Sequence, residues 1–350
     1  MGNREQTMRA AETGAVTART SLVSVIAPVY NERECLEELV RRIDVALQGR
    51  PCEIILVDDG SRDGSWGEIV RLRALYPAVR GLRFSRNFGH HVAITAGLDH
   101  ALGEWVVVMD SDLQDQPESI TSLLDKAAEG YHMVVARRLG KRHGPFKRSL
   151  SQLFARAMTW LADFEFDASV GVFRVMHRDI VDAVCAMRET PRLFTAMTDW
   201  VGFSRTSIDV THGARFAGET KYPLRKQVAL AVRGAIGFSE KPLEVLVTLG
   251  FVIASVGLTY ALVIAVRALQ GGIAVLGYAS LMSAILVMGG LAIATTGIVG
   301  LYVGSVFAQT KRRPLYLLRA SEGIETSVLP PSRVNEEPTL ARPLAVREWL

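Results

Sequence analysis

The sequence predicts an α/β protein whose mostly parallel, Rossmann-like sheet is followed by interfacial helices and a C-terminal two-helix membrane hairpin. Three observations predict this class. Short apolar runs alternate with amphipathic stretches through residues 22–136, which is the βαβα rhythm of a parallel sheet. Mean hydropathy is +0.20, high for a soluble enzyme, yet 22% of residues are charged, too many for a pure membrane bundle. Charge disappears from Val245 to Val266 and, after Arg267, does not return until Lys311.

Leu22–Ala27, Glu53–Val57, Val79–Phe84, Trp105–Met109 and Met133–Ala136 read as strands. Several are continuously apolar, as in a sheet covered on both faces. Cys35–Leu47, Ser65–Tyr76, His91–Ala101 and Pro117–Ala128 read as the helices between them, and Pro117 suits a first helical turn. Beyond residue 140 the rhythm weakens into a helix at Phe146–Leu161, a strand at Gly171–Val175, a helix at Asp179–Met187 and a strand at Thr206–Val210. From Leu224 to Phe238, Val228, Ala231, Val232, Ala235 and Ile236 recur at helical spacing beside Arg225, Lys226 and Arg233. That pattern suits a helix lying on a membrane surface. About 20 apolar residues cross a bilayer, so Val245–Val266 predicts one span and Tyr278–Val306 another, turned by Gly271 and Gly272. The expected division is a disordered tail over 1–20, a catalytic domain over 21–223 and a juxtamembrane amphipathic helix over 224–242. Two spans over 243–310 and a cytoplasmic tail over 311–350 complete it.

Basic residues flank the spans: Arg225, Lys226, Arg233 and Lys241 before them, Lys311, Arg312 and Arg313 after, and only Arg267 between. The positive-inside rule then places both termini and the large domain in the cytoplasm, in a multi-pass cytoplasmic (inner) membrane protein. Cys35, Cys52 and Cys185 lack CxxC spacing, which fits a reducing compartment and argues against disulfides or zinc. A net charge of +4 suits a protein facing anionic lipid and predicts no nucleic-acid partner.

The acids fall at strand ends, where ligands bind in parallel sheets. Asp58 and Asp59 end the second strand, and the fourth runs into Asp110-Ser111-Asp112-Leu113-Gln114. Asp110 and Asp112, with Gln114 as a neutral oxygen, suit Mg²⁺ or Mn²⁺ bound together with a phosphorylated ligand. The competing reading is a helix cap before Pro117; the second acidic strand end favours the metal. Neither GxGxxG nor GxxxxGK[ST] is present, so dinucleotide and P-loop readings lose their main support.

Read in order, "APVYNE", "VDDGSRDGS", "SRNFGHHVAITAGLDHA", "MDSDLQDQPE", "GVFR" and "RFAGETKY" resemble family 2 glycosyltransferases of the GT-A fold. More narrowly, they are similar to the polyprenyl-phosphate glycosyltransferases, the dolichol-phosphate-mannose-synthase-like group, over roughly residues 22–318. The resemblance implies that Pro28, Tyr30, Glu32, Leu56, Asp58, Ser111 and Arg174 bind the nucleotide sugar, with Asp58 on the base. It implies that Asp110, Asp112 and Gln114 hold the metal, and that Arg137, Arg148 and Ser151 meet the acceptor phosphate. Catalysis would rest on Asp110, Asp112, Arg215 and Lys221, the last two closing over the diphosphate with Arg174.

The activity so implied is inverting transfer of a hexose, UDP-linked, to a polyprenyl phosphate such as undecaprenyl phosphate, for cell-envelope glycosylation. A GDP-mannose donor and a non-catalytic nucleotide-sugar-binding scaffold are the alternatives, and membrane lipid and a homo-oligomer are compatible partners. A processive polysaccharide synthase is disfavoured because no Gln-x-x-Arg-Trp signature occurs. Two features depart from the family pattern. Asp167-Ala168-Ser169-Val170-Gly171 replaces the usual threonine/serine-glycine-aspartate wording. The stretch from Arg188 to Val210, with Trp200 and Phe203, is longer than in compact relatives and is expected to shape the sugar pocket or a subunit contact.

Overall fold

The computed structural model describes residues 21–138, 170–190, 192–211, 213, 241–269 and 278–324. The expected tail over 1–20, the Phe146–Leu161 helix, the Gly271–Gly272 turn, most of the juxtamembrane helix and the chain beyond 324 lie outside them.

The chain opens with β1 (Val23–Val29), α1 (Arg33–Ala46), β2 (Cys52–Asp58), α2 (Ser65–Leu75), β3 (Val79–Phe84), α3 (His90–His100), β4 (Trp105–Val108), α4 (Ser119–Ala127) and β5 (Met133–Arg138). It continues through β6 (Val170–His177), α5 (Arg178–Ala186), α6 (Phe194–Trp200), β7 (Arg205–Val210), α7 (Lys241–Leu269), α8 (Tyr278–Thr310) and β8 (Leu318–Glu322). One eight-stranded sheet results, in the order β7-β5-β6-β4-β1-β2-β3-β8. β1 pairs in parallel with β2 and β4, β2 with β3, and β5 with β7, whereas β6 and β8 run antiparallel to their neighbours. The architecture is the mostly parallel α/β sheet expected.

The central strands read as unbroken apolar runs because both their faces are covered. All seven residues of β1 are buried. Alternate residues therefore enter two cores: Val23, Val25 and Ala27 pack beneath α1 and α4, while Ile26 joins Ile55, Val57 and residues of α3 on the other face. In α1 the buried set Cys35, Leu36, Leu39, Val40 and Ile43 follows helical spacing, giving a single apolar stripe. α3 lies so close to the sheet that a Cβ on Gly97 would stand 2.3 Å from Ile26 Cγ2. Only glycine permits that approach, which holds the N-terminus of α3 near the strand ends.

From β1 the chain moves to β2 and β3 on one side, then returns to place β4 on the other. The carboxyl ends of β1 and β4 thus form a topological switch point, where a crevice opens in an open α/β sheet.

Both long apolar helices form. Within α8, Met288–Thr310 is long and apolar enough to cross a membrane; the apolar stretch identified in α7, Leu243–Gly257, is shorter. The sequence pattern did not anticipate α6 or β8. β8 returns after α8 to the far edge of the sheet, aligning Gly81 with Glu322 and Phe84 with Leu318.

Candidate active site at the switch point

Three loops meet at the carboxyl ends of β1, β2 and β4. After β1, Asn31 turns with φ 56°, and its side-chain oxygen accepts from Arg62 N at 2.9 Å. Asn31 N donates to Ser61 Oγ at 3.0 Å, Glu32 N to Ser65 Oγ at 3.2 Å, and Arg33 N to Asp63 Oδ2 at 3.1 Å. "YNER" and "SRDGS" are therefore laced together by side chains that satisfy the first backbone donors of α1. Ser111, inside the acidic turn, donates to Pro28 O at 2.7 Å and also contacts Glu32 Oε2. This joins the loop after β4 to the loop after β1.

The enclosed cleft measures about 370 Å³ and is lined by Pro28, Val29, Tyr30, Glu32, Asp59, Asn87, Gly89, His90, Asp110, Ser111 and Asp112. Its volume lies within the range of small-ligand sites. Asp110 is half-buried: Oδ1 stands 3.5 Å from His90 Nε2 and Oδ2 stands 3.7 Å from Arg138. Burial holds the His90 pKa below the ordinary imidazole value, so the ring is neutral at pH 7. Arg138 also reaches Asp115 Oδ2 at 3.4 Å, which makes its guanidinium the cation between two acids of this turn. Asp112 Oδ1 accepts from Gln114 N at 3.1 Å, and Leu113 takes a left-handed φ of 61°. The turn thereby holds Asp110 and Asp112 on one wall.

Five of the expected nucleotide-sugar residues come together here, namely Pro28, Tyr30, Glu32, Ser111 and, behind the wall, Asp58. Asp58 is fully buried. Its Oδ1 accepts from Ser61 N at 2.8 Å, while Oδ2 faces Arg83 Nε at 3.4 Å and accepts no hydrogen bond. Leu56 is buried in the middle of β2 and does not reach the cleft. Gln114 sits in the acidic turn but not on the cleft wall.

Arg174 is not brought to the cleft. It points into the core, donating to Thr198 Oγ1 at 2.5 Å and Gly171 O at 2.9 Å beneath the Phe194 ring, and burial pulls its pKa down to about 10. Arg137 also turns away, held by Asp209 at 3.2 Å and Ser207 Oγ at 2.7 Å. Successive strand residues face opposite sides, so Arg138 is the one that faces the acids. Trp200 is exposed at the end of α6, outside the cleft, and Phe203 packs on His132. Arg148, Ser151, Arg215 and Lys221 lie outside the described residues.

The cleft also takes in residues to which their motifs gave no role, Asp59 and Asn87 among them. Asp59 Oδ1 and Oδ2 accept from Phe88 N at 2.6 Å and Gly89 N at 2.9 Å, locking the loop before α3. Burial raises the Asp59 pKa, opposed by these two backbone donors. Asn87 lines the cleft through that same loop. The doubled acid of "VDDGS" was the available signal, since strand alternation must send its two members to different surroundings.

An acid-lined cleft thus stands at the switch point of a mostly parallel sheet. A model described as "Glycosyl transferase family 2" matches residues 24–188. The chain is 36% identical over 311 residues to the "Uncharacterized glycosyltransferase YkcC" of Bacillus subtilis (strain 168), covering 87% of this chain and 96% of that one. It is 34% identical over 301 residues to the "Prophage bactoprenol glucosyl transferase homolog" of Escherichia coli (strain K12), covering 85% and 98%. A solved glucosyl-3-phosphoglycerate synthase from Mycobacterium tuberculosis, in complex with Mg²⁺ and UDP, superposes with a TM-score of 0.48 at 17% identity, over 65% and 81% of the two chains. The chain belongs to glycosyl transferase family 2 and is a glycosyltransferase.

Proposed function

We propose that this glycosyltransferase moves a hexose, glucose foremost, from a UDP-sugar to a polyprenyl phosphate at the cytoplasmic membrane face. The observation that carries the reading is the cleft: Asp110 and Asp112 on one wall, with Asp59, Tyr30 and Glu32 across from them at the ends of β1 and β2. The bactoprenol name of the Escherichia coli relative, which spans nearly the whole of both chains, supports a polyprenyl acceptor.

The donor set fits a hard divalent ion shared with its ligand. Asp110 and Asp112 are two of the four carboxylates lining the cleft, and no group of three His, Cys, Asp or Glu side chains among the described residues could hold an ion alone. Mg²⁺ or Mn²⁺ on Asp110 and Asp112, beside Gln114, would neutralise charge on the leaving diphosphate. Asp58 Oδ2, a buried acceptor lacking a hydrogen bond, suits an N–H of the base behind the wall. Gly213 N donates to Gln114 O at 2.9 Å. The chain thus reaches the acidic turn two residues before Arg215, which supports Arg215 and Lys221 as the cations that close over the diphosphate. Arg148 and Ser151 remain the proposed acceptor side, whereas Arg137 is engaged by Asp209 and Ser207 Oγ.

A phosphate monoester has a second pKa near 6 and is largely dianionic at pH 7. The nucleophile therefore needs orientation more than deprotonation, consistent with the neutral His90 serving as a hydrogen-bonding wall. Attack opposite the leaving group inverts the anomeric centre.

Strand pairing supports the proposed membrane placement. β8 comes after α8, yet it pairs with β3 of the domain that precedes α7. A crossing by α8 must then be matched by a crossing of α7, which supports the two-span hairpin with domain and tail on one side. The division into a domain over 21–223, an interfacial helix over 224–242 and a hairpin over 243–310 belongs to the same proposal.

Full-length protein incubated with labelled UDP-sugars, polyprenyl phosphate and Mg²⁺ tests the reading. Labelled lipid that vanishes in Asp112→Ala is the expected result. Donor binding without product would replace the reading with a scaffold, and labelled product only from GDP-mannose would reassign the donor.

A further inference from the structure

We infer that the segment leaving the second hydrophobic helix is a brace for the donor cleft, with Tyr316 as its positioning residue. The inference rests on the cleft being the donor site proposed above.

The brace has four attachments. At the exit of α8, Gln309 Nε2 donates to Thr190 O at 3.3 Å, docking the helix end on the domain. Leu317 O accepts from Ser85 N at 2.9 Å, where the loop Ser85–Gly89 begins, and that loop supplies Asn87 and Gly89 to the cleft. The Tyr316 ring stacks on Phe84, with centroids 5.2 Å apart and planes 18° apart. Its hydroxyl donates to Asp99 Oδ2 at 2.9 Å.

The Ser85, Phe84 and Asp99 attachments lead toward the cleft. Phe84 meets Phe88 edge-on at 5.5 Å, and Phe88 N and Gly89 N are the donors held by Asp59. Asp99 lies near the carboxyl end of α3, whose first residue, His90, stands beside Asp110. The two are nine positions apart along the helix, roughly 13 Å at 1.5 Å per residue, and a helix of that length moves as one body. Arg188 fixes Asp99 from the other side with donors at 2.9 and 2.8 Å. Tyr316 thus grips both ends of one unit, the Ser85–Gly89 loop plus α3, and ties it to the point where the hairpin leaves the membrane.

A brace that served only general stability would protect the whole sheet equally. A positioning brace acts on the loop and on donor affinity. In full-length protein in nanodiscs, Tyr316→Ala removes the stack and the hydroxyl, whereas Tyr316→Phe keeps the stack and leaves Asp99 to Arg188. The expected result for Tyr316→Ala is roughly tenfold faster amide exchange over residues 85–92, the size of losing a stacked aromatic pair. β1 and β2 should stay as protected as in the parent protein. KM for the nucleotide sugar should rise about tenfold with kcat within about twofold, and Tyr316→Phe should recover most of both changes. Unchanged exchange at 85–92, exchange rising throughout the sheet, or a fall in kcat at constant KM would each overturn the inference. The exchange measurement needs no donor, so it decides even for a chain that transfers no sugar. Absence of product in the parent protein tells against the proposed function alone.

Discussion

Gly60→Ala is the sharpest test of how the cleft is assembled. Gly60 has φ +74°, and a Cβ there would stand 2.7 Å from both Arg86 C and Asn87 N. The obstacle is backbone, so no side chain can rotate aside. Gly49 supplies a matched control, with φ +84° and nothing within 4 Å of its would-be Cβ. Both substitutions carry the left-handed penalty of roughly 1–2 kcal/mol. Only Gly60→Ala adds overpacking, about 1–3 kcal/mol more. At roughly 2–4 °C per kcal/mol for a domain of this size, Gly49→Ala should lower Tm by only a few degrees. Gly60→Ala should lower it about twice as far. The functional difference is larger, because the backbone pushed aside carries Asn87 and Gly89 into the cleft. Donor KM should rise about tenfold or more in Gly60→Ala, for a loss of at least ~1.4 kcal/mol, and stay unchanged in Gly49→Ala. Differential scanning fluorimetry and initial-rate kinetics on the two full-length variants measure both quantities. Equal Tm shifts with equal KM values would refute the claim that the loops after β2 and β3 are in contact at the cleft.

Three further outcomes are expected. His91 is neutral with its ring Nδ1 buried, and its pKa is pulled to about 4 by desolvation foremost and by the nearby Arg174 and Arg192. The unfolded chain takes up this proton near pH 6.5 and the folded chain only near 4, so stability is present above 6.5 and lost as pH falls through that window. The loss approaches about 3 kcal/mol, and melting curves at pH 7 and 4.5 should show a clearly smaller acid shift in His91→Phe. Arg138→Met removes the cation between Asp110 and Asp115 and should lower kcat/KM by roughly tenfold. Arg137→Met, which frees only a half-exposed pair with Asp209, should cost about threefold or less; the reverse ranking in initial-rate assays would restore Arg137 to the site. Chelation of divalent ions should abolish transfer and Mn²⁺ should restore it in the parent protein but not in Asp112→Ala.

What the sequence pattern revealed depended on how each feature is encoded. The parallel strands were legible because burial on both faces demands unbroken apolar runs such as Val106-Val107-Val108. Acids at their ends were legible because nothing in packing explains them. Finer assignments depended on strand alternation, which a motif does not report. Asp58 and Asp59 are neighbours, yet one is sealed against Arg83 while the other lines the cleft. Arg137 and Arg138 are neighbours too, and the one facing the acids is the second. Arg174, which the family resemblance put on the nucleotide sugar, stands away from this cleft: β6 runs antiparallel between β4 and β5 and points this guanidinium into the core, where Thr198 and the Phe194 ring receive it.

β8 shows the opposite failure, an element with almost no sequence signal. Leu-Arg-Ala-Ser-Glu has neither an apolar run nor strict alternation, because an edge strand needs only its backbone to pair and one residue to anchor it. Leu318 is that anchor, packed in the same core as Phe84 and Tyr316. Its partner strand is more than 230 residues earlier, so no local pattern could expose the pairing. That pairing also constrains the molecule more than any motif does. It closes a loop of chain through α7 and α8 and returns it to the sheet, so whatever the two helices do must begin and end beside β3. An odd number of membrane crossings would tear β8 from the sheet. The acidic turn lines the cleft, and this edge strand couples that cleft to the end of α8, whose Met288–Thr310 stretch is long and apolar enough to cross a membrane.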